Sequence, residues 1–129
     1  MVTFEQVKKD LRNLRHIEYS IRTFSEARSR LQHQYDECEK AGDVETLEKL
    51  KESISKLDAN GFIKRSIVKK DKYFKAIACL EPMNQTIIID SVINGVPYWK
   101  IGNQLGFSEV AIKKRVNKAI NQIAELVTE

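Results

Sequence analysis

The first 41 residues contain neither glycine nor proline, and this uninterrupted stretch constrains the fold more than any other feature of the sequence. Its apolar residues recur every three or four positions, which is typical of one face of an α-helix. They are Phe4, Val7, Leu11, Leu14, Ile17, Ile21, Phe24, Leu31, Tyr35 and Cys38. Thr3 and Gln6 resemble a capping box. The sequence therefore predicts a helix to about Lys40, roughly 55 Å long at 1.5 Å per residue.

A helix of that length needs a partner for its apolar face. Gly42 and Asp43 predict a stop and a new helix cap, and a second set of apolar residues follows. These are Val44, Leu47, Leu50, Ile54 and Leu57. We expect an antiparallel helical hairpin over residues 1–61, because the apolar face does not keep the seven-residue repeat of a long coiled coil. The shorter second helix leaves part of the first uncovered, which predicts a homodimer or docking on RNA polymerase.

The last third of the chain carries the signals of a helix-turn-helix. Pro82 opens a helix that is expected to end at Gly95, because glycine readily adopts the left-handed conformation of a helix end. Pro97 opens a second helix, which is expected to end at Gly106. Ser108 is placed to cap a third helix. The overall prediction is an all-α fold with a long N-terminal hairpin followed by a C-terminal helix-turn-helix.

The third of these helices has two chemically different faces when it is projected at about 100° per residue. The face predicted to be core carries Ile112, Val116, Ala119 and Ile123. The opposite face mixes positive charges and amides with no acid, a set that suits phosphates and base edges. It carries Val110, Lys113, Lys114, Asn117, Lys118 and Asn121. This face predicts a double-stranded DNA partner; the alternative is an ordinary solvated helix face.

Residues 80–126 resemble the fourth conserved region of bacterial sigma factors. The resemblance rests on the stretches NGVPYWKIG, residues 94–102, and LGFSEVAIKKRVNKA, residues 105–119. In that family the second helix of the helix-turn-helix reads the promoter −35 element. With its long helical segment placed first, the chain is also similar in size to phage late-transcription regulators of the autolysin-regulator type found in Gram-positive hosts.

The sigma resemblance implies roles for individual residues of this chain. It implies base-edge or neighbouring phosphate contacts for Ser108, Glu109, Val110, Lys113, Lys114 and Asn117. It implies contacts with the DNA backbone for Arg115 and Lys118, and Asn121 shares their helix. Lys100 and Gly102 stand where the sigma pattern has an acid and an alanine, which leaves the exact docking open. We expect Gly102 to allow close approach of a neighbouring helix.

A basic segment precedes the helix-turn-helix. From residue 62 to residue 80 the chain holds six Lys or Arg and one acid, whereas the net charge of the whole chain is only +4. The candidate phosphate contacts are Lys64, Arg65, Lys69, Lys70, Lys72 and Lys75, together with Lys100. Such contacts would add salt-dependent affinity. The alternative is a solvated helix face whose other side buries Ile63, Ile67, Phe74 and Ile77. We place the domain boundary near Gly61, so that the DNA-binding module spans residues 62–129.

Other residues do not point to catalysis or to metal binding. No nucleophile with a base, glycine-rich phosphate loop or paired carboxylate site is recognisable, so we expect a non-enzyme without cofactor or metal. His16 and His33 are too far apart to share an ion. Cys38 and Cys79 are predicted to be buried thiols, and Trp99 is predicted to be core rather than a stacking platform. With no long apolar stretch and no signal peptide, the expected location is the bacterial cytoplasm, away from membranes.

The expected function is a sequence-specific transcription regulator of phage or prophage origin that binds double-stranded DNA and acts with RNA polymerase. Two alternatives stay open. One is a DNA-recognition subunit of a packaging machine, similar to small terminase subunits. The other is a sigma-like module that binds protein and does not read DNA. A large ring of subunits would favour packaging, whereas a monomer or dimer would favour transcription.

Overall fold

The computed structural model describes residues 2–128, and these residues form helices and no strand. The helices are α1 (Phe4–Ala41), α2 (Val44–Asp58), α3 (Gly61–Ala78), α4 (Pro82–Ile88), α5 (Tyr98–Leu105) and α6 (Glu109–Thr128), with a π-helical segment at Ile89–Ile93 after α4. The predicted all-α fold class is confirmed. Within this part of the chain, no helix is both long enough and apolar enough to cross a lipid bilayer.

The chain forms two compact units. The first comprises residues 2–17 and 69–128, and the second comprises residues 18–68. This division differs from the boundary predicted near Gly61. The reason is that α1 and α3 are continuous helices that each belong partly to both units. The start of α1 and the end of α3 lie in the first unit, and the remainder of each helix lies in the second. The basic segment is therefore divided between the units instead of belonging to one of them.

The first unit has an extensive apolar core. Residues from α1, α3, α4, α5 and α6 are buried in it, and α6 packs against both α4 and α5. The predicted core face of α6 is confirmed, because Ile112, Val116, Ala119 and Ile123 are completely buried. Ile120 is also completely buried, so the buried face of α6 is wider than the predicted one.

A buried carboxylate links α1 to α3 within the first unit. Asp10 accepts hydrogen bonds from the Tyr73 hydroxyl at 2.6 Å, from the Gln6 amide at 3.0 Å and from the Lys69 ammonium at 3.3 Å. Burial, and then the hydrogen bond to Asp10 and its negative charge, raise the pKa of Tyr73 above its ordinary value. The phenol therefore remains a donor. The pKa of Tyr73 is higher in the folded state than in the unfolded state. The hydrogen bond to Asp10 therefore contributes its full stability at pH values below the ordinary pKa of tyrosine, and this contribution is lost only as the pH rises through the raised pKa.

Tyr73→Phe is expected to lower the free energy of unfolding by about 1–3 kcal/mol, because it leaves a buried acceptor with one partner fewer. Urea unfolding followed by circular dichroism measures the change. Tyr19→Phe is the matched control, since Tyr19 is an exposed tyrosine of α1. If the two variants have the same stability, the hydroxyl of Tyr73 does not stabilise the first unit.

The π-helical segment was not predicted from the sequence, which indicated one continuous helix from Pro82. The Asn94 amide donates to the Ile89 carbonyl at 3.0 Å, which is an i to i+5 hydrogen bond. The Ser91 hydroxyl donates to the Ile87 carbonyl at 2.5 Å. It thereby competes with backbone amides for that carbonyl. Gly95 then ends the helix as predicted, with a φ of +73°.

Within the second unit, polar contacts connect α1 to α2, and few side chains are buried. Asp43 caps α2 by accepting from the Thr46 amide at 3.2 Å, and the hydrogen bonds from Thr46 hold the pKa of Asp43 below its ordinary value. The Arg28 guanidinium pairs with both carboxylate oxygens of Asp58, at 3.1 and 3.3 Å. No residue of α2 is fully buried. Its apolar side chains therefore remain partly accessible to solvent.

The predicted burial of Ile67 and of the two thiols is wrong. Ile67, expected on the buried side of α3, is 48% exposed and Phe74 is half-buried, whereas Ile63 and Ile77 are buried as predicted. Tyr73 and Ala76 complete the buried side, which is consequently turned away from Ile67. Of the thiols predicted to be buried, Cys38 is only partly buried. Cys79, which follows the last residue of α3, is exposed.

Candidate nucleic-acid interface

A tight turn between α5 and α6 sets the orientation of α6 within the first unit. Gly106 adopts a φ of +77°, a left-handed conformation that glycine takes at little cost. The amides of Gly106 and Phe107 both donate to the Gly102 carbonyl, at 2.8 and 2.9 Å. Ser108 then caps α6, because its hydroxyl accepts from the Ala111 amide at 3.1 Å. The predicted turn and its cap are thus confirmed.

Gly102 is the point of closest approach between α5 and this turn. A Cβ atom added at Gly102 would overlap the carbonyl oxygen of Phe107, which is part of the backbone. The expected close approach is therefore confirmed, but the approaching group is the turn itself and not a neighbouring helix. Glycine stands at this position because the two hydrogen bonds that its carbonyl accepts draw the turn over its α-carbon.

Gly102→Ala is expected to destabilise the first unit by about 1–3 kcal/mol, because the backbone of the turn must move to admit a methyl group. Thermal unfolding monitored by circular dichroism measures this effect. Gly61→Ala is the control, since a Cβ there meets only the flexible end of Arg65. Equal melting temperatures for the two variants would contradict the close packing of the turn on α5.

The outer face of α6, defined by Val110, Lys113, Lys114, Asn117, Lys118 and Asn121, is exposed along its whole length. Ser108 and Glu109, at the start of the helix, are exposed as well. Within the described part of the chain, the ammonium groups of Lys113, Lys114 and Lys118 form no ion pair. Their positive charges are therefore available to an external anion.

Asn121 differs slightly from the other members of the outer face. It lies toward the C-terminal end of α6 and also lines a shallow groove beside Val2 and Phe4. The Asn117 amide lies one turn earlier and is exposed between lysines. Of the two amides, Asn117 is thus the one more fully surrounded by positive charge.

Arg115 has a positioning role that sequence reasoning missed. Its guanidinium lies 4.7 Å from the centre of the Phe107 ring, and its Nη1 donates to the Asn84 side-chain oxygen at 3.2 Å. Asn84 is a buried residue of α4. Arg115 therefore connects α6 to both α4 and the turn. No local spacing could reveal this contact, because Asn84 lies 31 residues away in the sequence.

The structure does not bring the candidate phosphate contacts together in one unit. The second unit contains Lys64 and Arg65, and the first contains Lys69, Lys70, Lys72, Lys75 and Lys100. Lys69 is paired with buried Asp10, and Lys75 lies 2.9 Å from Asp71 in an exposed pair. Lys72 and Lys100 are exposed and form no ion pair among the described residues. Of the members in the first unit, these two are the best placed to meet a phosphate, and Lys64 and Arg65 of the second unit are exposed as well.

The prediction that Trp99 belongs to the core is wrong, since its side chain is 56% exposed. Helix α5 buries Ile101 and Gly102. Trp99 precedes Ile101 by two positions and so points about 200° away from it around the helix. Because Trp99 is the one tryptophan of the sequence, its fluorescence reports specifically on the start of α5.

Comparisons with known proteins found no matching family model, no similar curated protein and no similar solved structure. Among the described residues, no three histidine, cysteine or carboxylate side chains lie close enough together to hold a metal ion. The chemistry of the first unit is therefore inferred from the geometry of α5, the turn and α6, and from the charge of the outer face.

Proposed function

We propose that this chain is a sequence-specific double-stranded DNA-binding protein that regulates transcription. The observation that carries the proposal is the outer face of α6, where three lysines that form no ion pair with any described residue lie, with exposed amides, opposite a completely buried face. The buried face anchors α6 on the core, so the backbone positions from which the exposed side chains extend are fixed. A rigid helix with cationic and amide groups on one face can bind phosphates and read base edges together.

The chemistry of the outer face fits the major groove of DNA. That groove is about 12 Å wide and admits one α-helix. Lys113, Lys114 and Lys118 would contact phosphates or guanine edges, and the Asn117 amide has the donor and acceptor that pair with adenine. Lysine contacts to phosphate release bound counterions, which makes affinity depend on salt.

The helices α5 and α6 support the sigma-like proposal, in which they are the two helices of a helix-turn-helix. In that arrangement α6 is the recognition helix, and α5 crosses the DNA backbone. Arg115 would then hold the recognition helix in place instead of serving as a phosphate contact, and exposed Lys100 would meet the backbone. We propose that the protein acts in this way in the bacterial cytoplasm, in contact with RNA polymerase.

Binding to duplex DNA is the experiment that tests the proposed function. Fluorescence anisotropy of a labelled duplex of mixed sequence should show binding at about 0.05 M salt and clear weakening at about 0.2 M, as counterion release requires. The emission of Trp99 in the same titration reports on α5. Absence of binding at the lower salt concentration would contradict the proposal.

We further propose that the second unit joins two copies of the chain. The apolar side chains of α2 are only partly buried, and Val44 and Tyr19 are exposed. A second copy would remove this apolar surface from water. Sedimentation equilibrium at micromolar concentration should then give twice the chain mass of 14.9 kDa. The mass of a single chain at every concentration would contradict the dimer, and a large ring would favour a packaging role.

A further inference from the structure

Val110 is an apolar residue on an otherwise polar face, and the fold does not account for it. Its side chain is 63% exposed, although it lies in the first turn of the helix that completes the core of the first unit. Valine forms helices less readily than alanine, and here it buries little surface in return. The side chain is therefore available for contact with a partner.

The position of Val110 is well defined by its surroundings. Val110, Lys114, Asn117 and Asn121 fall within an arc of about 60° when α6 is projected at about 100° per residue. The Ser108 cap and the turn at Gly106 fix the start of the helix. Because valine is branched at Cβ, its rotamer is restricted in a helix. Its two methyl groups are thus held rigidly in line with the lysine and amide groups.

A rigid apolar group at this position has one chemical counterpart among DNA base edges. The N-terminal residues of a recognition helix approach the base edges in the major groove. Those edges present hydrogen-bond donors and acceptors, except for the 5-methyl group of thymine, which is apolar. Resting on the proposed function, we infer that Val110 contacts a thymine methyl group. The target sequence then contains thymine at one fixed position in each site.

The inference is tested with duplexes that differ by a single methyl group. The preferred duplex is first selected from a random pool, and each thymine is then replaced in turn by uracil, which lacks the methyl group. One position should bind the parent protein about fourfold more weakly as uracil, the value expected for losing the burial of one methyl group. A 5-bromouracil at that position should restore affinity, because bromine has nearly the size of a methyl group.

Two variants assign the effect to Val110. Val110→Ala should reduce the difference between thymine and uracil to less than about twofold, because most of the apolar contact is removed. Val68→Ala is the matched control, since Val68 is 68% exposed and lies beside lysines in α3. The control should keep the full difference. Circular dichroism should show unchanged helicity in both variants, because neither side chain is buried.

The outcomes separate this inference from the proposed function. If a sequence is selected but no uracil substitution weakens binding, Val110 does not contact a thymine methyl group and the DNA-reading proposal stands. The same conclusion follows if Val110→Ala keeps the full difference in affinity between the thymine and uracil duplexes. If the parent protein selects no sequence, the proposed function fails and the inference fails with it.

Discussion

Lys113→Glu combined with Lys114→Glu is expected to abolish duplex binding without loss of helicity. Both side chains are exposed and form no ion pair within the described chain, so their replacement leaves the core intact. Specific base-edge contacts are worth about 1–3 kcal/mol each, and two of them predict a loss of at least about 30-fold in affinity. Repulsion between the new carboxylates and phosphates adds to that loss. Fluorescence anisotropy gives the affinity, and circular dichroism gives the helix content.

The matched control for this charge reversal is Lys51→Glu with Lys56→Glu. These lysines are exposed on α2, so the control has the same net charge but an unchanged α6. The ion pair that Lys56 loses, with Glu52 at 3.3 Å, is exposed and contributes little to stability. It should bind DNA much more tightly than the α6 variant, with only the general weakening that a lower net charge brings. Equal affinity of the α6 variant and the parent would show that the outer face of α6 does not contact DNA.

Ile112→Asp is expected to unfold the first unit. Ile112 is completely buried in α6, and an unpaired carboxylate there costs several kcal/mol. That cost is comparable with the whole stability of a typical domain, about 5–15 kcal/mol. Thermal melting should lose its cooperative transition for this unit, and the Trp99 emission should shift toward that of a fully solvated indole.

Val110→Asp is the matched control for Ile112→Asp. It places the same carboxylate two residues earlier on the same helix, where the side chain is exposed and where the helix dipole favours a negative charge. The control should therefore melt like the parent protein. If Ile112→Asp also melts cooperatively at the parent temperature, the buried face of α6 is not the one described.

The features predicted correctly from the sequence are those that depend on neighbouring residues. Gly106 and Ser108 mark the turn because a left-handed glycine and a hydroxyl cap act within a few positions. Asp43 caps α2 for the same reason. The buried face of α6 follows from spacing alone, since apolar residues at helical period must share one side.

The features missed from the sequence depend on residues far apart along the chain. The bonds from Tyr73 to Asp10 and from Arg115 to Asn84 span 63 and 31 positions. The division of α3 between the two units likewise depends on packing partners and not on a break in the helix. Trp99 was misplaced because its aromatic character favours burial, whereas its phase on α5 turns it outward.

The most direct test of the proposed DNA reading is selection of bound duplexes from a random pool at about 0.15 M salt, near physiological ionic strength. A variant with alanine at Lys113, Lys114 and Asn117 is selected in parallel, because its core is unchanged. We expect the parent to enrich one sequence motif and the variant to enrich none. A motif repeated in two half-sites would also support the dimer. Failure of the parent to enrich any motif would contradict sequence-specific recognition by α6.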